Sequence, residues 1–389
     1  MIPSKYQHLV FAFFMAGLMS CLMSLVISIF NVGLVDNILQ IWLHAWGFAF
    51  VVAFPAVLVV APLVSVTDTR ESLHDALLER VSSGLLPLTF DSEQDRRDKT
   101  PDEMAYLRHY GLIPPDSLTV VSHCMGTFAS GAFQLATHYW LPERPRGTYL
   151  LVHGYFDHVG LYGHLIHYLL QRDYAVVAFD LPGHGLSSGE RVSIDSFDRY
   201  VDVFSDLLQK CVSSFPRPWK GIGQSTGGAI LMKYVMAAKP YHYPNDLTAV
   251  TVLAPLIRPR EWMKSLRTYK LFHRVLKKVS RTFRPNTTNE AFNEFLINND
   301  PLQYNYIPIE WVASMKRWTE EFAALPPSDY PLRVVQGDCD GTVDWRYNVA
   351  SIRKKFPNFE LVLIPGARHH LVNEVDYMRD RVFKSLGEG

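Results

Sequence analysis

The chain begins with two long apolar runs. Residues 9–30 and 38–64 contain no Asp, Glu, Lys or Arg, and each is long enough, at 1.5 Å per residue, to cross a hydrocarbon core of about 30 Å as a helix. Asn31, Gly33, Asp36 and Asn37 form a short polar turn between them. The pattern predicts a transmembrane helical hairpin over residues 1–66. A signal peptide fits less well, because its apolar stretch is shorter and here a second run follows at once.

Beyond residue 66 the pattern becomes that of a globular protein. Residues 67–117 are charged and irregular and predict a connector with helices, one of which begins at the capping box formed by Thr100, Pro101 and Glu103. From residue 118 to 389, short apolar runs typical of buried strands alternate with helical segments. The alternation predicts an α/β domain in which helices cover both faces of a mostly parallel sheet.

One long interruption divides this alternation. Residues 256–330 separate two predicted strands and are too many for a loop, so they predict an inserted helical cap. Within it, residues 258–284 carry ten Lys and Arg side chains against one acid, Glu261, and apolar residues recur every three or four positions. This spacing predicts an amphipathic helix with a basic face. That face is either a solvated surface or a contact for anionic lipid.

Charge and cysteine content narrow the classes of function. The 38 basic and 38 acidic side chains cancel, which argues against a protein devoted to nucleic acid. The four cysteines have no paired spacing, so neither a disulfide framework nor a zinc site is predicted. Lys5 precedes the hairpin and Arg70 and Arg80 follow it, whereas the turn has no Lys or Arg. By the positive-inside rule, both ends and the globular domain are expected in the cytoplasm.

A pentapeptide with the G-x-S-x-G spacing falls between a predicted strand and a predicted helix. It reads Gly223-Gln224-Ser225-Thr226-Gly227. A serine on such a strained turn exposes its hydroxyl, and the flanking positions must be glycine because side chains there would collide with backbone. The sequence therefore predicts Ser225 as a nucleophile.

The other groups that a serine nucleophile needs follow predicted strands. His153 and Gly154 come directly after one strand, where the amide of Tyr155 can join that of Thr226 in an oxyanion hole; we expect His153 to order this loop, while His158 could equally be a surface residue. Another strand precedes three candidate acids, and His369 and His370 follow the last strand. We expect His369 to take the proton from Ser225 and one of the acids to orient it. The candidate acids are Asp338, Asp340 and Asp344.

Several motifs in residues 118–389 resemble those of the α/β-hydrolases of the monoacylglycerol lipase and lysophospholipase group, also described as serine aminopeptidase-like. They are Leu151-Val152-His153-Gly154-Tyr155, Phe179-Asp180-Leu181-Pro182-Gly183-His184-Gly185-Leu186-Ser187-Ser188-Gly189, Gly223-Gln224-Ser225-Thr226-Gly227-Gly228, Gln336-Gly337-Asp338-Cys339-Asp340 and Gly366-Ala367-Arg368-His369. The resemblance implies the α/β-hydrolase fold with a helical cap. It also implies Ser225 as nucleophile, Asp340 as acid, His369 as base, and the amides of Tyr155 and Thr226 as the oxyanion hole.

The same resemblance gives Asp180, His184 and Ser187 a role in loop architecture. Bulky Tyr155 and Phe156 stand where small residues are common in the lipases, so the resemblance does not define the shape of the acyl pocket. The N-terminal segment contains Met23-Ser24-Leu25-Val26-Ile27-Ser28, Asn31-Val32-Gly33, Trp42, Ala45-Trp46, Ala53-Phe54-Pro55 and Ala61-Pro62-Leu63-Val64. With these residues it resembles a small two-span bacterial membrane family of unknown function. This second resemblance implies location in the bacterial inner membrane.

These features together predict a membrane-anchored serine hydrolase that cleaves carboxylic esters of lipid-like substrates through an acyl-enzyme, with neither a metal nor an organic cofactor. An arylesterase, thioesterase or peptidase of the same fold is the alternative within the enzymes, because a triad fixes acyl transfer and not the leaving group. A non-catalytic binding module tethered to the membrane is the alternative outside them. The predicted partners are the ester substrate and a membrane, which the hairpin and the basic cap helix would contact.

Overall fold

The computed structural model describes residues 4–64, 69–115, 118, 120–236 and 247–387. The chain divides into two compact units, Met1–Leu73 and His74–Gly389.

Two antiparallel helices form the first unit, α1 (Ser4–Val32) and α2 (Ile38–Val64). Small side chains on α1, among them Ala16 and Ser20, are buried, which lets the backbones approach closely. The indole N–H groups of Trp42 and Trp46 donate to carbonyl oxygens of α1, at 3.1 and 3.2 Å. A helical hairpin is therefore present. Among the described residues, however, we find no helix that is long and apolar enough to cross a membrane, and the predicted transmembrane hairpin is not confirmed.

The described residues of the second unit contain ten strands. They are β1 (Val120–Ser130), β2 (Phe133–Pro142), β3 (Thr148–Val152), β4 (Ala175–Phe179), β5 (Trp219–Gln224), β6 (Leu247–Leu253), β7 (Lys278–Ser280), β8 (Tyr306–Pro308), β9 (Leu332–Gly337) and β10 (Glu360–Ile364). Eight of them form one sheet in the order β1-β2-β4-β3-β5-β6-β9-β10. The first two pairings in this order are antiparallel and the others parallel, so the predicted mostly parallel sheet is confirmed.

The helices that follow the hairpin are α3 (Thr69–Gly84), α4 (Pro101–His109), α5 (Gly163–Leu170), α6 (Phe197–Cys211), α7 (Thr226–Met236), α8 (Trp262–Phe272), α9 (Glu290–Asn298), α10 (Ile309–Ala324), α11 (Trp345–Lys355) and α12 (Asp376–Lys384). The capping box predicted for α4 is present: Thr100 accepts from the Glu103 amide, and the Glu103 carboxylate accepts from the Thr100 amide. The next turn is closed by Gly111 at φ 62°.

Successive residues of the central strands enter two separate cores. In β3, Leu150 and Val152 join the core that contains Phe204 of α6, whereas Leu151 joins the core that contains Leu165 of α5. Every residue of β3 and β4 is buried. Continuous apolar strands are required when both faces of a sheet are covered, and burial of each large aliphatic side chain stabilises the fold by about 1.5–3 kcal/mol.

The cap lies between β6 and β9 and contains α8, α9, α10 and the antiparallel pair of β7 and β8. The predicted single helix over residues 258–284 is wrong. The helix ends at Phe272, and Val279 pairs with Ile307 in the small sheet. The three-to-four spacing of apolar residues continues through this stretch, but β-branched Val279 and the partner strand override it, as tertiary pairing commonly overrides helical pattern.

Candidate active site

Ser225 occupies a strained turn between β5 and α7. Its φ is 52°, in the left-handed region that L-residues rarely adopt. A Cβ atom on Gly223 would lie 2.5 Å from carbonyl atoms of Gly227, and one on Gly227 would lie 2.0 Å from the Val152 carbonyl oxygen. Both flanking positions therefore require glycine, for the steric reason that the sequence suggested.

The structure brings Ser225, His369 and Asp340 into one hydrogen-bonded chain. His369 Nδ1 lies 2.7 Å from Asp340 Oδ2, and His369 Nε2 lies 3.0 Å from Ser225 Oγ. A carboxylate only accepts, so the proton sits on Nδ1 and Nε2 is left to accept from the serine hydroxyl. This is the arrangement in which an imidazole can act as a base toward a serine.

The three clustered acids have three different surroundings. Asp340 Oδ1 accepts from the amides of Thr342 and Val343, at 2.8 and 3.1 Å, which leaves Oδ2 directed at His369. Asp338 instead accepts from the Gly366 amide at 2.7 Å. Asp344 caps α11 and forms an ion pair with Arg258 at 2.6 Å. Only Asp340 of the three meets His369, so the choice that the residues alone left open falls on it.

Electrostatics of the pair favour an anionic acid beside the imidazole. Burial raises the pKa of Asp340, but the neighbouring His369 and hydrogen bonds from the Thr342 and Val343 amides outweigh burial, so the pKa lies below its ordinary value. Burial lowers the pKa of His369, but the charge of Asp340 outweighs it and the pKa lies above its ordinary value. The pair thus stabilises a proton on the imidazole, as a base that accepts one from serine requires.

The loop after β3 passes close to the serine at Gly154, the residue before Tyr155. A Cβ atom on Gly154 would lie 3.4 Å from Ser225 Cβ, so the backbone of this loop passes directly over the nucleophile. Thr226 is the first residue of α7, where backbone N–H groups point outward from the helix end. Among the described residues, neither the Tyr155 nor the Thr226 N–H has a hydrogen-bond acceptor. Both donors are free to bind an oxyanion.

An acid that the sequence analysis did not single out holds this loop. Asp157 Oδ2 accepts from the Tyr162 hydroxyl at 2.7 Å and from the Gly154 amide at 3.2 Å, and it lies 3.3 Å from His370 Nε2. Burial raises the pKa of Asp157, but His370 and Tyr162 outweigh burial and hold it well below its ordinary value. The signal in the sequence was an Asp three residues after a loop glycine, which is common in turns and does not by itself indicate a site.

The two histidines of the loop after β3 are both buried. His153 Nε2 accepts from the Leu181 amide at 2.9 Å, and burial lowers its pKa to about 3, so it orders the loop as a neutral ring. His158 is completely buried and pairs with Asp300 of the cap at 3.2 Å. The reading of His158 as a surface residue is wrong, because the cap covers it and supplies its carboxylate.

The motif that begins at Asp180 is architectural. Asp180 accepts from the amides of Val159 and Leu186, at 2.7 and 2.8 Å, and the Ser187 hydroxyl donates to the Asp180 carbonyl oxygen at 2.6 Å. His184 is buried with a pKa lowered by burial to about 4. These residues tie the loop after β4 to the loop after β3.

The cap packs onto both loops of the site. The Tyr155 ring stacks on Trp311 of α10, with centroids 3.7 Å apart. On the other side, the Asn286 carbonyl oxygen accepts from the amides of His369 and His370, at 2.9 and 2.8 Å. Bulky Tyr155 therefore serves as a contact for the cap. Within the described part of the chain, no group of three or more His, Cys, Asp or Glu side chains is placed to hold a metal ion.

Comparisons with known families match two segments of the chain. The profile of the serine aminopeptidase S33 family matches residues 143–376, which is 234 of the 389 residues. That of a domain of unknown function matches residues 4–66.

Individual relatives match over most of their own length. A phospholipase of Bacillus subtilis, YtpA, is 27% identical over 263 residues, covering 63% of this chain and 95% of the relative. The human monoglyceride lipase is 26% identical over 306 residues, covering 74% of this chain and 94% of the relative. The crystal structure of a monoglyceride lipase from Saccharomyces cerevisiae superposes with a TM-score of 0.60 at 19% identity, over 70% of this chain and 96% of that one. At this identity the superposition shows the α/β-hydrolase fold alone.

Proposed function

Since this chain belongs to the serine aminopeptidase S33 family, we propose that it is a serine hydrolase that cleaves carboxylic esters of lipid-like substrates through an acyl-enzyme. The observation that carries the proposal is the continuous chain of hydrogen bonds from Asp340 through His369 to Ser225. A buried acid, an oriented imidazole and a strained serine in this order are the parts that acyl transfer needs.

In the first half of the reaction, Ser225 Oγ attacks the ester carbonyl carbon while His369 Nε2 takes the hydroxyl proton. The carbonyl oxygen becomes an oxyanion and accepts from the amides of Tyr155 and Thr226. One such donor contributes about 2.7–4 kcal/mol of transition-state stabilisation in serine proteases. Asp340 stabilises the imidazolium, which then donates its proton to the departing alkoxide, and the acyl group stays on Ser225.

In the second half, His369 takes a proton from water as that water attacks the acyl carbon. The same two amides hold the second oxyanion. Collapse of this intermediate releases the carboxylic acid, and Ser225 recovers its proton from His369. Bonds and protons balance over the cycle, with water as the only co-reactant.

The lipid-like substrate class is supported by the relatives, which include a phospholipase and monoglyceride lipases. Aryl esters, thioesters and peptides are the alternatives of the same chemistry. A panel that offers the purified chain a monoacylglycerol, a lysophospholipid, an aryl ester, a thioester and a peptide amide separates them. We expect the highest kcat/KM for an acylglycerol or lysophospholipid. Higher kcat/KM for the thioester or the peptide would contradict the substrate class and leave acyl transfer intact.

We also propose that the hairpin attaches the enzyme to a bacterial inner membrane, with the α/β unit in the cytoplasm. Large apolar side chains on the outside of the hairpin support this proposal, since Phe14, Phe30 and Phe48 are 68%, 89% and 76% exposed. Exposed apolar surface on this scale is expected to find an apolar partner, and lipid hydrocarbon fits a segment that holds only Lys5 and Asp36 as charges before residue 68.

Alkaline carbonate washing of membranes that contain the full chain tests this attachment. We expect the protein to stay in the membrane pellet, and a reporter fused after Gly389 to have cytoplasmic activity. Release into the wash would overturn membrane attachment, and periplasmic reporter activity would overturn the orientation.

The basic segment of the cap is proposed to contact anionic lipid. Lys264, Arg267 and Lys270 are exposed on α8, and Leu271 and Val275 beside them are 73% and 79% exposed. Cations interleaved with exposed apolar side chains are typical of surfaces that bind a lipid interface.

Salt dependence tests this contact. We expect the full chain to hydrolyse a substrate faster in anionic than in neutral vesicles at 0.1 M salt, and the advantage to shrink at 1 M salt as the screening length falls from about 10 Å to 3 Å. Changing Lys264, Arg267 and Lys270 to Gln should remove the advantage. As the matched control, changing Arg353 and Lys354 of α11 to Gln should leave the advantage unchanged. Equal rates in both kinds of vesicle at low salt would contradict the contact with anionic lipid and mean that the segment is only a solvated surface.

A further inference from the structure

One arginine of the cap points toward the loop after β3. Arg281 follows β7, and its amide donates to the Asn305 carbonyl oxygen at 2.8 Å. Its guanidinium lies over the ring of Phe156, with Cζ 3.7 Å from the ring centroid, and 4.2 Å from the centroid of Phe283. The side chain is partly exposed. It is thus held in one place by aromatic rings and remains accessible to a ligand.

Hydrogen bonding uses only part of this guanidinium. Nη1 donates to Gln303 Oε1 at 3.0 Å and to the Tyr304 carbonyl oxygen at 3.1 Å. Among the residues that the structure describes, the donors on Nε and Nη2 have no acceptor and no carboxylate forms an ion pair with Arg281. Burial lowers its pKa to about 10, which still leaves a cation at neutral pH.

Several other partly buried cations of the α/β unit pair with acids. Arg97 pairs with Glu103, Arg258 with Asp344, and Lys233 with Glu321. Partly burying a cation is costly unless an opposite charge accompanies it. Among the described residues, Arg281 has no carboxylate within ion-pair distance, and the charges of Asp157 and Asp300 act on it from farther away. Its two free donors are therefore available to an anionic ligand.

The ring beneath the guanidinium belongs to the loop after β3, which carries the proposed oxyanion donor. Phe156, beneath the guanidinium, directly follows Tyr155, whose amide is the proposed oxyanion donor. Gln303 links Arg281 to Phe156. Its side-chain Nε2 donates to the Phe156 carbonyl oxygen at 2.9 Å, and its Oε1 accepts from Arg281. An anion at Arg281 would therefore lie on the side of the proposed site that the loop after β3 forms.

We propose that Arg281 binds the phosphate of a lysophospholipid-type substrate through Nε and Nη2, and so favours phosphate-bearing esters over neutral acylglycerols. The inference rests on the proposed function and names the substrate class for that same site. The edge formed by Nε and Nη2 presents two parallel donors, the geometry in which arginine binds two oxygens of one phosphate.

A ratio of activities tests the proposal. The full chain is assayed with 1-oleoyl lysophosphatidate and with 1-monooleoylglycerol, which carry the same acyl chain. We expect Arg281→Gln to lower the ratio of kcat/KM for the phosphate ester to that for the neutral ester at least about tenfold, as expected for loss of a charge-assisted, bidentate contact. Arg281→Lys, which keeps the charge and loses the fork, should recover part of it. Arg353→Gln is the matched control, because Arg353 is an exposed arginine over a ring, that of Phe359, and should keep the wild-type ratio.

Binding of ether analogues separates this inference from the proposed function. We would measure binding of 1-O-octylglycerol 3-phosphate and of 1-O-octylglycerol, which cannot be hydrolysed, by calorimetry. We expect the phosphate analogue to bind more tightly to wild type and to lose at least about tenfold in affinity in Arg281→Gln. If neither oleoyl ester is turned over, the proposed function fails, while tight binding that depends on Arg281 still supports the phosphate site. Equal affinities for the two analogues, or an unchanged ratio in a folded Arg281→Gln variant, would overturn the site.

Discussion

Two adjacent histidines of this protein, His369 and His370, contact different partners in the candidate active site. His369 has Nδ1 on Asp340 and Nε2 on Ser225. His370 has Nε2 facing Asp157, and its Nδ1 lies 3.4 Å from the Asn373 side-chain amide nitrogen. Neither contact of His370 is with a hydroxyl group, in contrast to the contact of His369 Nε2 with Ser225.

The difference shows what turns a buried histidine into a candidate base. Both rings face a carboxylate, but only His369 has its second nitrogen on a hydroxyl that can react. His370 is turned toward Asp157, which holds the Gly154 amide and hence the loop that carries Tyr155. One pair is proposed to move protons, and the other positions the proposed oxyanion donor.

Removing each ring should separate these roles most clearly. We expect His369→Ala to lower kcat for an ester on the order of 10⁴–10⁶-fold, the loss found when a triad base is removed from a serine protease. His370→Ala should lower it only mildly, about tenfold or less, because it touches no reacting atom. Steady-state kinetics of both folded variants would check the contrast, and equal losses would remove the distinction.

Asp340 and Asp338 should differ in their effect on kcat as His369 and His370 do. Asp340→Asn should reduce kcat about 10³–10⁴-fold, because an amide no longer enforces the correct imidazole tautomer. Asp338→Asn is the control two residues away, and its bond to the Gly366 amide predicts a far smaller loss. A larger loss of kcat in Asp338→Asn than in Asp340→Asn would contradict the assignment of Asp340 as the acid.

Asp157→Asn should act through the loop and through charge. We expect a fall in kcat of about tenfold, since the Gly154 amide and the Tyr162 hydroxyl lose an anionic acceptor. The charge of Asp157 also contributes to raising the pKa of His369. Its removal should therefore move the acidic limb of the pH profile of kcat/KM to lower pH. A lower kcat with an unmoved limb would mean that Asp157 affects the loop only.

The wild-type pH profile is the mildest test. Ester hydrolysis requires neutral His369, and its pKa is raised above the ordinary value of about 6.5. Activity should therefore be lost as the pH falls through a midpoint above about 6.5. A midpoint well below that value in kcat/KM would contradict the Asp340–His369 pair as the titrating group.

The serine could be predicted from the sequence because it lies in a local motif whose steric requirements can be inferred from the residues. The residues alone left three candidate acids, and Asp340 was named only by the resemblance to the hydrolase group. Gly223 and Gly227 specify the strained turn at Ser225 by themselves, and strand order brings Asp340 and His369 to the same sheet edge. The pairing of Asp157 with His370 was not predicted, because it joins positions 213 residues apart in sequence and Asp157 has no local signature.

The contacts of the cap are the part of the fold that could not be predicted from the sequence. An inserted cap followed from its length, but the helix expected over residues 258–284 was wrong because pairing of Val279 with Ile307 cannot be inferred from the spacing of apolar residues. The burial of His158 against Asp300 was missed for the same reason. Long-range partners decide such positions, whereas periodicity reports only local preference.

Labelling with a fluorophosphonate, followed by peptide mass spectrometry, tests the central claim most directly. The reagent phosphonylates a serine only where a base activates it and an oxyanion hole receives the phosphoryl oxygen. We predict one adduct per chain, on Ser225, with no labelling of Ser225→Ala and strongly slowed labelling of His369→Ala. An adduct on another residue, or undiminished labelling of a folded Ser225→Ala variant, would contradict the assignment of Ser225 as the nucleophile.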